Sequence, residues 1–365
     1  MGSVDADTDV LLDATTALIP PLLSAIEVLG YAGRHMHPTT LPDLLEQLAP
    51  YREPLKAGMT AFDQVAWPEH LQGFAAQAGK SASLAMQSFN DFLSAPNQSN
   101  ATMAAYRAMG YNTKATEALY PLTQMLPPVS RFFLNPDARQ NEELLAKLAA
   151  AEPNQENVGI MHASNASDER GGFSMYVPEY YDPEVPMPLV LALHGGSGHG
   201  RQFLWSWVVP ARTAGAIVIA PTSKEGTWSL MGPDVDSENL DAMVAYACEH
   251  WNVDTSQLLL TGMSDGGTFT YVSGLREDAP FTHLAPSSAS FHPMLVEMVA
   301  PERLQDLPIY LMHGALDWMF PVSVAREAQQ SLARAGASVT YREIDNLSHT
   351  YPVEENPRIL EWMSA

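Results

Sequence analysis

The run Leu258-Leu259-Leu260-Thr261-Gly262-Met263-Ser264-Asp265-Gly266-Gly267 sets a Gly-x-Ser-x-Gly pentapeptide between an apolar, strand-like stretch and a helical one. In that setting the pattern predicts a sharp strand-to-helix turn with Ser264 at its tip. Glycine at 262 and 266 removes Cβ atoms that would collide in such a turn. A serine hydroxyl is a poor nucleophile until a base takes its proton and an acid holds the base. Downstream, Asp317 follows a buried-strand pattern in Leu311-Met312-His313-Gly314-Ala315-Leu316-Asp317. His349 follows the last strand pattern in Asp345-Asn346-Leu347-Ser348-His349. Asp345 is a rival acid, but it lies at the strand's end, and Asp317 is preferred for its loop position. His199, His283 and His292 are weaker bases because none sits on a loop after the last strand. His194 and His313 are expected to orient loops.

The segment His194-Gly195-Gly196-Ser197-Gly198-His199-Gly200 follows another strand pattern. Glycines let backbone amides approach a substrate oxygen, so the amides of Gly196 and Asp265 are assigned to an oxyanion hole. A phosphate cradle is the weaker reading, since neither Gly-x-Gly-x-x-Gly nor a Gly-Lys-Ser/Thr end is present. The Asp265 carboxylate would oppose a developing negative charge unless it points away. Trp228, Trp318, Met319 and Phe320 fall on loops at the same edge. They either pack beneath those loops or line an apolar, aromatic acyl pocket.

These residues need a scaffold that gathers loops at one edge. Before residue 152 the apolar spacing is helical: Leu71, Phe74, Ala78, Ala82, Ala85, Phe89, Phe92 and Leu93 draw one stripe. Residues 8–152 read as four to six helices, with Pro20-Pro21 expected to interrupt the first. After residue 155 the pattern changes to strands, 158–163 and 172–177 as a hairpin, then 188–193, 216–220, 257–261, 282–285, 308–312 and 338–344. Helical stretches lie between, at 237–250, 266–276 and 322–335. Continuous apolar runs alternating with helices predict a buried, mostly parallel α/β sheet of about eight strands. The expected domains are a helical one over 1–152 and a sheet domain over 153–365.

Residues 155–365 resemble the α/β-hydrolases, and within them the phospholipase/carboxylesterase family that includes acyl-protein thioesterases. The resemblance rests on Leu193-His194-Gly195, on Gly262 to Gly267, on His313-Gly314 with Asp317 and Pro321-Val322, and on Ser348-His349. It implies an α/β-hydrolase fold and a triad of Ser264, Asp317 and His349 acting on a small-molecule ester. It implies no cofactor and no metal. Feruloyl esterases and polyhydroxybutyrate depolymerases share similar motifs, so thioesterase and polyester depolymerase remain alternatives. An inactive scaffold that binds a partner is a further one, disfavoured because all three triad residues and the loop glycines occur together. Members commonly carry Gln where this chain has Asp265. Residues 1–152 lie outside the resemblance.

With 19 basic against 42 acidic residues the chain carries a net charge of −23, which disfavours nucleic acid and anionic membranes as partners. The lone Cys248 allows no internal disulfide. The first residues are acidic where a secretion signal would be basic, and no uninterrupted apolar run reaches membrane-spanning length, so a cytoplasmic location without a membrane span is expected. The amphipathic N-terminal helices are expected to form a lid over the active-site mouth or a homo-oligomer interface. Deleting residues 1–152 separates these. Loss of a lid changes acyl-chain preference or KM, loss of an interface lowers the sedimenting mass, and an enzyme unchanged in both defeats both readings.

Overall fold

Four long helices take up the N-terminal apolar stripes: α1 (Gly2–Arg34), α2 (Leu41–Asp63), α3 (Gln72–Ser94) and α4 (Ala101–Leu119), followed by the short α5 (Pro127–Phe132). The structure, a computed structural model, describes residues 2–152 and 155–365. The α3 stripe is buried at Phe74, Ala78, Ala82, Ala85, Phe89 and Phe92, as its spacing requires. Small residues let the helices approach closely. A Cβ on Gly58 of α2 would lie 2.5 Å from the Ala17 carbonyl oxygen of α1. Buried hydroxyls are satisfied across the α3–α4 contact, where Ser81 and Ser88 donate to the carbonyls of Ala115 and Ala108 at 2.8 and 2.9 Å.

Two expectations change here. Helix α1 runs unbroken through Pro20 and Pro21. The lost amide donors are offset by packing, since Leu18, Ile19, Leu22, Ala25, Ile26 and Leu29 are all buried. The segment Thr8–Arg34 is also long and apolar enough, by length and composition, to cross a membrane. No single run is uninterrupted there, since Asp13, Pro20, Pro21 and Glu27 fall within it along with Thr, Ser and Gly. A third of that stretch is buried within the helical unit.

The chain divides at 134/135 into two compact units, the second being Asn135–Ala365. The expected boundary at 152/153 touches Pro153, which lies outside the described residues. Helix α6 (Glu142–Ala150) therefore goes with the sheet unit, where the Asn135 amide also donates to the Thr213 hydroxyl at 2.9 Å.

The second unit is built on eight strands: β1 (Gly159–Ala163), β2 (Phe173–Val177), β3 (Met187–Leu193), β4 (Ile217–Pro221), β5 (Val253–Met263), β6 (His283–Ser287), β7 (Pro308–Gly314) and β8 (Ser338–Ile344). Their order is β1-β2-β4-β3-β5-β6-β7-β8. Strand β2 runs antiparallel to both β1 and β4, and every other pairing is parallel. This is the mostly parallel α/β-hydrolase sheet expected from the sequence. Connecting helices include α7 (Gly200–Phe203), α8 (Trp205–Ala214), α9 (Ser237–His250) and α10 (Asp265–Gly274). Parallel strands send their following loops to one edge, so the loops after β3, β5, β7 and β8 converge there.

A buried charge pair fastens α8 to the segment after β2. Arg212 Nε donates to Glu179 at 3.0 Å, and Tyr176 donates its hydroxyl to the same carboxylate at 2.8 Å. Both charges are almost fully removed from water, so deleting one strands the other. Arg212→Ala is expected to lower unfolding free energy by about 3–5 kcal/mol, measured by denaturant titration.

Candidate active site

Between β5 and α10 the chain reverses at a single residue. Ser264 has φ +56° and ψ −117°, a conformation costly for a residue with a Cβ. Its amide donates to the Ser287 carbonyl of β6 at 2.9 Å, and its carbonyl accepts from the Thr268 amide at 2.8 Å. The flanking glycines are sterically required. A Cβ on Gly262 would meet the Gly266 backbone at 2.5 Å, and one on Gly266 would meet the carbonyl oxygens of His194 and Leu193 at 2.5 Å.

His349 stands beside this turn. Its Nδ1 lies 2.8 Å from Asp317 Oδ2, so Nδ1 carries the hydrogen and donates to the carboxylate. Its Nε2, 3.0 Å from Ser264 Oγ, is then free of hydrogen and accepts from the serine hydroxyl. Asp317 Oδ1 accepts from the amides of Met319 and Phe320 at 2.9 and 2.8 Å. Burial alone would push the Asp317 carboxyl up, but hydrogen bonds from His349 and the Phe320 amide, with the neighbouring imidazoles, hold it below its ordinary value. The loops bearing acid and base are tied together, since the amides of Ala315 and Leu316 donate to the carbonyls of Ile344 and Leu347, each at 3.0 Å. Gly314 permits this approach, because a Cβ there would lie 2.2 Å from the Leu347 oxygen.

The loop after β3 is pinned from several sides. Trp228 Nε1 donates to the His194 carbonyl at 2.7 Å, and the Ser197 amide donates to the Gly226 carbonyl at 3.1 Å. A Cβ on Gly195 would lie 3.6 Å from the Ser264 Cβ, so this loop runs against the serine. Asp265 opens α10, and its amide is among those with no acceptor inside the helix.

Ser264, Asp317 and His349 are thus brought together, with Gly196 and Asp265 adjoining them. Asp345 is exposed on the solvent side of the His349 loop. The pocket assignment of Trp228 is corrected. It is buried, stacks on Phe269, meets the His194 ring at a tilt, and spends its N–H on the loop backbone, which makes it a support beneath the loop. Trp318 and Met319 are exposed, and Phe320 meets the His349 ring edge-on at 5.4 Å. His199 stitches the loop to the carbonyls of Ala166 and Glu169. Sequence reasoning missed Thr227, whose hydroxyl donates to Asp265 Oδ2 at 2.6 Å. No motif marks it, because the two residues meet only through the fold. The buried His313, foreseen only as a loop residue, has Nε2 3.5 Å from Asp317 Oδ2 and donates to the Phe320 carbonyl at 2.9 Å.

Residues 234–365 match the phospholipase/carboxylesterase family. That span holds Ser264, Asp317 and His349 but begins after the glycine loop. Over 149 residues the chain is 28% identical to the bifunctional acetylxylan esterase/xylanase XynS20E of Neocallimastix patriciarum. The match covers 39% of this chain and only 21% of that much longer protein. Among solved structures, a thermostable esterase aligns with a TM-score of 0.47 and 21% identity, covering 56% of this chain and 62% of its own. The Staphylococcus aureus fluorophosphonate-binding serine hydrolase FphF aligns with a TM-score of 0.44 and 15% identity, covering 56% of this chain and 96% of its own.

His194 adds a pH dependence. Its Nδ1 donates to the Gly195 carbonyl at 2.7 Å and its Nε2 accepts from the Ser223 amide at 3.1 Å, an arrangement open only to the neutral ring. Burial pushes its pKa down from 6.5 to about 4. Protons therefore bind the unfolded chain first, so the contribution to stability is whole above pH 6.5 and is lost as pH falls toward 4. The melting temperature should fall across that window, with up to ~3 kcal/mol at stake. In His194→Asn it should start lower and fall less steeply. An equally steep decline in that variant would assign the acid limit to other groups.

Proposed function

We propose that the sheet unit is a serine carboxylester hydrolase. The observation that carries this reading is the unbroken relay from Ser264 Oγ through His349 to Asp317, at 3.0 and 2.8 Å. The match of residues 234–365 to the phospholipase/carboxylesterase family supports it as well. Ser264 Oγ attacks the ester carbonyl while His349 Nε2 takes its proton, and Asp317 steadies the imidazolium that forms. The carbonyl π electrons move onto oxygen, where the amides of Gly196 and Asp265 stabilise the oxyanion. As the tetrahedral intermediate collapses, the carbon–oxygen bond to the alcohol breaks and His349 returns the proton to the leaving oxygen. Water, deprotonated by the same imidazole, then adds to the acyl-enzyme and releases acid and free serine.

The substrate in this reading is a small or medium apolar or aromatic ester. Exposed Trp318 and Met319 beside Asp317, with Phe320 against His349, support an apolar acyl site. An oxygen ester and a thioester of equal acyl length, together with a short polyhydroxyalkanoate, distinguish carboxylesterase from thioesterase and depolymerase. Burst release of p-nitrophenol from a short-chain ester is the first test. Ser264→Ala should lose turnover by on the order of 10⁵-fold while remaining folded, since only one oxygen is removed. Retained turnover in that variant would end the proposal, and a wild-type protein with no burst would favour a binding scaffold.

A further inference from the structure

The Asp265 side chain lies on the glycine loop. A Cβ on Gly196 would sit 2.7 Å from Asp265 Oδ2 and 3.3 Å from its Cγ, so the carboxylate fills the space beside that glycine. Thr227 fixes it there by donating its hydroxyl to Oδ2 at 2.6 Å. The group is half-buried, and Arg212, Arg276, Arg326 and Arg342 pair with other carboxylates, while the Arg170 guanidinium donates to the Gly198 carbonyl and to Ser223. A negative charge is therefore built into the wall next to the two amides assigned to the oxyanion. We infer that the Asp265 carboxylate, held against Gly196 by Thr227, is a specificity-determining group that selects cationic over anionic ester substrates.

This inference rests on the serine-hydrolase reading. A full charge on the residue that follows Ser264, fixed beside Gly196, acts far more strongly on a charge bound there than the diffuse charge of an acidic surface. It also resists salt, because little electrolyte fits between the two, whereas the field of the chain's net charge of −23 is screened. The two origins of charge preference can thus be told apart.

The experiment uses the full chain and three p-nitrophenyl esters of matched acyl length, ending in a methyl, a carboxylate or a trimethylammonium group. At high salt the wild type should retain a higher kcat/KM for the cationic than for the anionic ester. Asp265→Asn keeps an oxygen to accept from Thr227 and should lower the cationic-to-anionic ratio about ten-fold. Asp265→Glu keeps the charge and should preserve most of the ratio. Asp265→Ser gives the same reading as Asp265→Asn should that variant not fold. An unchanged ratio in the neutral variants overturns the inference, as does an equal fall in Asp265→Glu, which would indicate shape and not charge. Ser264→Ala separates the two layers. If all three esters are still hydrolysed by it, the serine-hydrolase reading fails, whereas Ser264-dependent turnover with unaltered charge preference removes only the role of Asp265.

Discussion

The positive φ of Ser264 is sustained by its neighbours, and much of the sheet unit is arranged around that one residue. A turn this sharp brings the end of β5 and the start of α10 so close that a side chain at 262 or 266 would overlap backbone. The cost of the conformation is offset by hydrogen bonds on both sides of the turn, to the Ser287 carbonyl and from the Thr268 amide. Strand β6 therefore has to lie where it does. The same closeness sets the glycine loop against the turn, since the space denied to a Cβ on Gly266 is filled by the carbonyls of Leu193 and His194.

Around the turn, His194 and Asp317 are buried with partners for their polar atoms. His194 is removed from water yet donates and accepts through both ring nitrogens, and its carbonyl is taken by Trp228. Asp317 accepts from two amides and an imidazole, leaving its carboxylate fixed in direction as well as in charge. Each such bond replaces one to water, so its net contribution is smaller than its strength in isolation. What they contribute is a single geometry, which an acid–base relay requires.

Several assignments depended on what side chains meet across the fold. Trp228 had the sequence position of a pocket residue, but its indole is spent beneath the loop. Pro20 and Pro21 carried a strong local signal for a break, and the buried face of α1 overrode it. Asp265 is the residue whose meaning changed most. In sequence it is a departure from a family pattern, and in the structure it is a charge held by Thr227 against the glycine loop.

The sequence by itself determined the strands, their mostly parallel arrangement and the turn at Ser264, because hydrophobic period and glycine placement are local consequences of backbone geometry. It also ranked Asp317 above Asp345, since a loop following a parallel strand opens on a known edge. Only the tertiary structure decided which imidazole reaches Ser264, which nitrogen bears its hydrogen, and where the Asp265 carboxylate rests. These depend on contacts between residues far apart in the chain, which no local pattern encodes. The division at 134/135 had the same origin, because a helical period looks alike whether the helix packs on other helices or joins a sheet.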